Sequence, residues 1–365
     1  MYLRSHPLLF GLLAATRGGR GVRRLGRTVL VHDPAAYREA LTRLPLDRTA
    51  TGTTGGAARE ALAGSGSPGG GVLFDQEGSA HRADRRSLAD GLGATGVEQL
   101  RARWRPLLEQ RLAPLAAGGE VDLVALAREL SGTVVRDLLG TDAEPVAVAL
   151  AAADAAAASV RDHLPGVRRP GASAAAARTA RTLRDLLGGG GTASAGAPAA
   201  EGALAAMVAV AAVNTTVAAL PRAVGWCADA GLWEQAADPA LLPRLVDELL
   251  RVTAASPVLP RVAASDGSVG GCPVRGGDRL LLVARHAAAA HRRAPDALDP
   301  AAPADAHLVF GAGPHACPGA RLARAQLADV LAALAPYRPH VVRARVDRRA
   351  ALPGWRVLTV KGAGA

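Results

Sequence analysis

The chain has 365 residues, of which 49% are hydrophobic but only 3% aromatic, so alanine, valine and leucine must fill most of the core. Its formal net charge of +11 is carried by arginine, Lys361 being the sole lysine; the arginines are dispersed along helical stretches without interleaved aromatics, which argues against a nucleic-acid partner. Cys227, Cys272 and Cys317 are an odd and widely separated set, which fits neither a disulfide framework nor a Cys-x-x-Cys zinc site.

The apolar run Leu8–Ala15 is too short to span a bilayer and is expected to pack as a terminal helix, with no membrane span and a cytoplasmic protein. Within residues 1–45, positions 29–41 then read as a strand, a turn and a short helix. Residues 49–71 are rich in Gly, Ser, Thr and Ala and predict a flexible loop, interrupted at Arg59–Leu62. His81 and Arg85 lie four apart and so share one helical face. Helical patterning follows over Thr95–Leu115, Val121–Leu139, Pro145–His163 and Ser173–Leu187, then a low-complexity linker at 188–200. A long apolar helix over 201–227 carries Ala212, Asn214 and Thr215 at its middle, where a threonine can bond back to a preceding carbonyl. In the helix Leu241–Thr253, Glu248 and Arg251 lie three apart and can pair. Residues 267–283 alternate between glycine turns and predict a hairpin; Trp355–Val360 predicts a strand. No linker splits these segments, so 1–365 is expected to be one domain, mainly α with small β-sheets.

The most specific segment is 310–334. Phe310, Gly311, Gly313, Cys317 and Gly319 form a glycine- and proline-bounded loop ahead of a helix over Ala320–Leu334. The glycines allow a large flat ligand to approach the main chain. A cysteine beside backbone amides and a helix N-terminus is expected to favour the thiolate, the form that binds metal.

The spacing Phe, two residues, Gly, three residues, Cys, one residue, Gly resembles the haem-binding signature of the cytochrome P450 family. That resemblance implies the cytochrome P450 fold, haem b as cofactor, and Cys317 as axial ligand of the iron. It implies contacts to haem from His81, Arg85, Arg261, Phe310, Gly311, His315 and Gly319. Glu248 and Arg251 then match the family's structural Glu-x-x-Arg pair, and residues 201–227 its central helix along the oxygen groove. Ala212 stands at the usual glycine of that helix and Thr215 at its threonine, while Asn214 replaces the usual acid. An amide can hold a water but cannot deliver a proton as a carboxylic acid does. The chain is also short for the family, and Ala297–Pro300 lacks the usual aromatic and arginine.

The implied function is that of a soluble, bacterial-type haem-thiolate monooxygenase, expected to be a monomer. It would insert one oxygen atom from O2 into a small organic substrate, a hydroxylation in natural-product metabolism. Electrons would come from NAD(P)H through a ferredoxin or flavodoxin, docking near Arg82, Arg86, Arg321 and Arg324. The loop 49–71 would cover the substrate pocket. Asn214 keeps other readings open: radical coupling, desaturation, peroxide-driven oxidation, or a haem-binding protein without turnover.

Overall fold

The computed structural model describes residues 4, 6–19, 21–63, 73–162, 171–188 and 199–363. Helices α1 (Pro7–Thr16), α2 (Pro34–Thr42), α3 (Thr54–Ala63), α4 (Gly78–Ser87), α5 (Ala94–Leu112), α6 (Leu123–Leu139), α7 (Pro145–Asp162), α8 (Ala172–Gly188), α9 (Ala199–Ala230), α10 (Leu242–Thr253) and α11 (Ala320–Leu334) carry most of the fold. Strands β1 (Val22–Leu25), β2 (Thr28–Val31), β4 (Leu259–Val262) and β7 (Arg279–Leu282) form a sheet in the order β1-β2-β7-β4, in which β2 and β7 run parallel. Strand β3 (Glu120–Asp122) pairs with β9 (Gly354–Lys361), which pairs with β8 (His340–Asp347). A two-stranded ribbon joins β5 (Gly267–Val269) to β6 (Cys272–Val274). The expectation of a mainly α fold with small sheets holds.

Several local expectations change. The hairpin predicted over 267–283 is real only at its first half: β7 leaves it to pair with β2 and β4. Its burial explains the change, since Leu280 and Leu282 are wholly enclosed and a sheet interior gives their backbone two neighbours rather than one. Part of the predicted loop 49–71 is ordered as α3, whereas 64–72 lie outside the described residues. Most of the linker 188–200 also lies outside them. The helix predicted from Val121 begins instead at Leu123, after β3, because the Asp122 carboxylate accepts from the Val124 amide and caps it. Strands β1 and β4 have no clear alternation in the sequence; β8 does alternate over 342–347 but is not among the expected strands.

The main core gathers α5, α6, α9, α10 and α11 around Trp104, Leu130, Leu249 and Leu331. A buried polar clamp fixes α5 against α11: the Trp104 indole donates to Asp329 at 2.9 Å and Arg101 adds two bonds at 3.0 and 2.6 Å. A second core lies under the four-stranded sheet around Tyr37, Leu280 and Leu282. A third fills the space between α6, α7, α8 and α9 with small side chains such as Ala149, Ala152, Ala206 and Ala209. By length and composition α9 could cross a membrane, yet it packs on α6, α7 and α8 and half of its apolar stretch is buried there.

Candidate functional site

The cysteine loop is built by two 3-10 turns, His307–Phe310 and Gly313–His315, leading into α11. The Cys317 amide donates to the Phe310 carbonyl at 2.8 Å, closing the loop on itself. Gly311 at φ 77° and Gly313 at φ 71° occupy the left-handed region that side chains resist. At Gly313 the space is also short: a Cβ would lie 3.1 Å from the Thr42 methyl of α2. At the far end, a Cβ on Gly319 would lie 3.9 Å from the Cys317 sulfur.

Cys317 is surrounded by protein on most sides yet keeps accessible surface. Burial pushes its thiol above the ordinary value, while the Gly319 amide and the Arg85 and Arg324 guanidiniums pull it back down. At this sulfur desolvation thus outweighs the loop amide and the two guanidiniums. Cys227, by contrast, is wholly buried and its thiol is pushed up to about 12, so it is inert.

Titratable groups from four separate segments meet beside this loop. Arg85 of α4 donates to the Ala316 carbonyl at 2.6 Å. The His81 ring lies 3.9 Å from that of His315, tilted by 31°, and its Nε2 is buried without a hydrogen-bond partner. Burial and the cations Arg48, Arg261 and Arg85 push His315 down to about 3, with His81 adding to the effect, so the imidazole is neutral. Arg261 of β4 is enclosed, its Nε has no partner, and burial lowers it to about 10, Tyr37 opposing and Arg48 reinforcing the shift. The Tyr37 hydroxyl is likewise buried and unpartnered. Arg48 was missed in the sequence. Its side chain is 11% exposed and pairs with Glu77 at 3.0 Å. Lying in a short loop without a motif, it had no signal beyond being an arginine before a glycine-rich stretch.

Arg48, Arg85 and Arg261 thus share one region, and among the described residues only Arg48 of the three pairs with an acid, Glu77. Buried cations of this kind need anionic partners. Two carboxylates of a flat macrocycle meet that need, and the glycine cradle and the sulfur meet its ring and its metal. The residues present fit a haem.

Phe310 and Arg324 lock the loop to the core. The Arg324 guanidinium lies 4.7 Å over the Phe310 ring and donates to Asp247 at 2.6 Å. This corrects its place in the expected docking patch, because its charge is spent on Asp247 and Phe310. Arg82, Arg86 and Arg321 remain exposed. Glu248 and Arg251 are wholly buried and paired through two bonds, 2.8 and 2.6 Å. Arg251 also donates to the carbonyls of Ala288, Arg293 and Ala294, each at 3.3 Å, and Glu248 accepts from the Ala301 amide at 3.0 Å. The pair therefore pins the whole segment leading to the cysteine loop. It is structural in position: both side chains are consumed by backbone.

On α9 the Thr215 hydroxyl donates to the Ala211 carbonyl at 2.8 Å. The Asn214 amide donates to Val210 at 2.8 Å and across to Ala152 of α7 at 3.2 Å. Ala212 packs into the small-residue core with α7. Asn214 and Ala212 thus engage the neighbouring helix, and the missing acid is replaced by a helix-to-helix tie. An open cleft of about 560 Å³ lined by Gly96, Arg103, Arg136 and Asp142 shares no residue with the cysteine site.

Residues 233–335 match the family model described as Cytochrome P450. The chain is 41% identical over 103 residues to the 20-oxo-5-O-mycaminosyltylactone 23-monooxygenase of Streptomyces fradiae, covering 28% of this chain and 24% of that protein. It is 39% identical over 101 residues to the nocardicin C N-oxygenase of Nocardia uniformis subsp. tsuyamanensis, covering 27% and 25%. These alignments span about a quarter of each relative's length. The fold match is much longer. P450BioI, solved with acyl carrier protein ligated to hexadec-9Z-enoic acid, superposes with a TM-score of 0.77 over 99% of both chains at 16% identity. A mutant of P450 EryK in complex with erythromycin B gives 0.77 over 98% and 97% at 22% identity. With the cysteine signature and the buried Glu-x-x-Arg pair inside the matched segment, residues 233–335 are similar to the cytochrome P450 family, and the chain as a whole shares the fold of the solved P450 structures.

Proposed function

We propose that this protein is a haem-thiolate monooxygenase acting on a small organic molecule. The observation that carries the reading is the meeting of Cys317, His81, Arg85, Arg261, His315 and Arg48 around one loop. Cys317 would hold the haem iron. Arg48, Arg85 and Arg261, with His81 and His315 donating as neutral imidazoles, would hold the propionates. When bound, haem supplies dioxygen activation and oxygen transfer to carbon or nitrogen. The chain's own part is positional. Gly311, Gly313 and Gly319 admit the macrocycle, and the buried pair Glu248–Arg251 keeps the loop from opening.

Thr215 holds its proton on the Ala211 carbonyl, which leaves the lone pairs of Oγ1 free to accept from a water. Asn214 has both amide protons committed to carbonyls and can offer only its Oδ1. Proton delivery in this chain would then run through Thr215 and water without a carboxylic acid. That feature favours a second reading as well, coupling or desaturation, in which oxygen is not retained in the product. Electrons would arrive one at a time from a ferredoxin or flavodoxin, and Arg82, Arg86 and Arg321 supply an exposed basic rim for an acidic donor. Relatives named for a 23-monooxygenase and an N-oxygenase support a natural-product substrate.

The test is Cys317→His in the haem-reconstituted protein. The strongly red-shifted absorption band of the reduced carbon monoxide complex should vanish, while haem still binds through the arginines. Persistence of the band would overturn the assignment. Labelled dioxygen then separates the two readings: label in the product supports oxygen insertion, and unlabelled product supports coupling or desaturation.

A further inference from the structure

The chain reaches its first acidic residue only at Asp33; before it stand Arg4, Arg17, Arg20, Arg23, Arg24 and Arg27. Within this stretch, α1 buries Phe10, Leu13 and Thr16, packing Phe10 and Leu13 on Leu30 and Val283 of the sheet side. Its opposite face is also apolar. Leu8 is 90% exposed, Leu12 47% and Leu9 38%. Leu8 and Leu12 lie one turn apart and form a ridge. A helix apolar all round is ordinarily buried on every side, and a ridge of large exposed leucines marks a contact surface.

The ends of this ridge are cationic. Arg4 precedes the helix and Arg17 follows it, both exposed. The Arg23 guanidinium donates to the Gly18 carbonyl at 3.1 Å, bringing another charge to the same end. An apolar ridge between arginines, with no acid in the segment, is complementary to a surface that is greasy below and negatively charged above. A second copy of this chain would set the same arginines against each other.

We propose that α1 docks this protein on an anionic bilayer surface. Leu8, Leu9 and Leu12 enter the boundary between headgroups and acyl chains, and Arg4, Arg17 and Arg23 pair with lipid phosphates. At 10 residues the helix is about half of the ~20 residues a span requires, so it lies in the interface. This docking is independent of the reaction assigned above.

Sedimentation of the haem-loaded full chain with vesicles tests it. Phosphatidylcholine vesicles containing phosphatidylglycerol should carry the protein down, pure phosphatidylcholine vesicles far less, and added salt should release it. Leu8→Ser/Leu12→Ser and Arg17→Glu/Arg23→Glu should each lower the partition coefficient by about tenfold or more. Leu8 and Leu12 are exposed, so haem absorbance and melting temperature should stay unchanged in Leu8→Ser/Leu12→Ser; Arg17 and Arg23 lie near the His32–His286–His291 cluster, so for Arg17→Glu/Arg23→Glu unchanged haem absorbance is the readout that shows the fold is intact. Equal sedimentation with both vesicle types, no sedimentation, or undiminished binding by either double variant would overturn the proposal. So would analytical ultracentrifugation in which Leu8→Ser/Leu12→Ser merely converts a dimer to a monomer.

Discussion

The region around Cys317 and the helical layer α7–α9 are held together by different physics. Around the cysteine, directional charged contacts do the holding: Glu248 with Arg251 and Arg324 with Asp247. In the helical layer the contacts are mostly those of small apolar groups, Ala149, Ala152, Ala206 and Ala209 against Val148 and Val213. A buried bidentate pair accepts few substitutions, whereas an alanine-lined interface accepts many of similar volume. This explains why the family model matches 233–335 alone although the fold matches along 99% of the chain. It also places the freedom to vary in the layer carrying α9.

The sharpest way to break the contrast is Glu248→Ala. It leaves Arg251 a buried, half-satisfied cation, a change that costs ~3–5 kcal/mol, a large share of the ~5–15 kcal/mol that keeps a domain folded. The expected outcome is little haem-loaded protein and a much lower melting temperature. Normal haem content and an unchanged melt would show that the cysteine region is not held by this pair.

A second test concerns charge that is kept out. His32 and His286 approach Nδ1 to Nδ1 at 2.8 Å, and the His291 ring lies 4.6 Å from that of His286. Burial comes first among the causes that lower all three, His32 and His291 to about 4 and His286 to about 3, with Arg17, Arg285 and Arg292 adding repulsion around His291. Because the folded values lie below the unfolded 6.5, the unfolded chain binds more protons in acid, and stability falls as pH drops from 6.5 toward 4. The loss is ~1 kcal/mol per pH unit for an imidazole held neutral. Thermal melts from pH 7 to pH 4 should show a steeper decline for the native chain than for His286→Asn. Parallel curves would mean that the cluster is not what titrates.

The smallest effects are expected in the helical layer. Asn214→Ala removes the tie to Ala152 and should cost ~1 kcal/mol. Thr215→Ala should change the melt by less than ~0.5 kcal/mol while lowering product formed per NAD(P)H and raising peroxide. If Asn214→Ala destabilises as severely as Glu248→Ala, the layer is not the permissive one. If Thr215→Ala leaves product yield unchanged, its hydroxyl has no part in moving protons.

The local patterns that survive folding unchanged were readable in the chain. Cys317 with its three glycines, the pairing of Glu248 with Arg251, and the long apolar run of α9 each depend on neighbours a few residues away. Their spacing carries them, because helix geometry and glycine conformations are local properties. What only the tertiary structure decided needed distant segments to meet. Arg48 became part of the site because burial beside β4 and α4 left it 11% exposed. Strand β7 was turned from a hairpin partner into a sheet interior by the apolar demand of Leu280 and Leu282. Arg324 was drawn inward by Asp247 and Phe310. The Cys317 thiol, which the Gly319 amide and the Arg85 and Arg324 guanidiniums draw down, is raised above its ordinary value because segments distant in sequence pack around it and desolvate the charge.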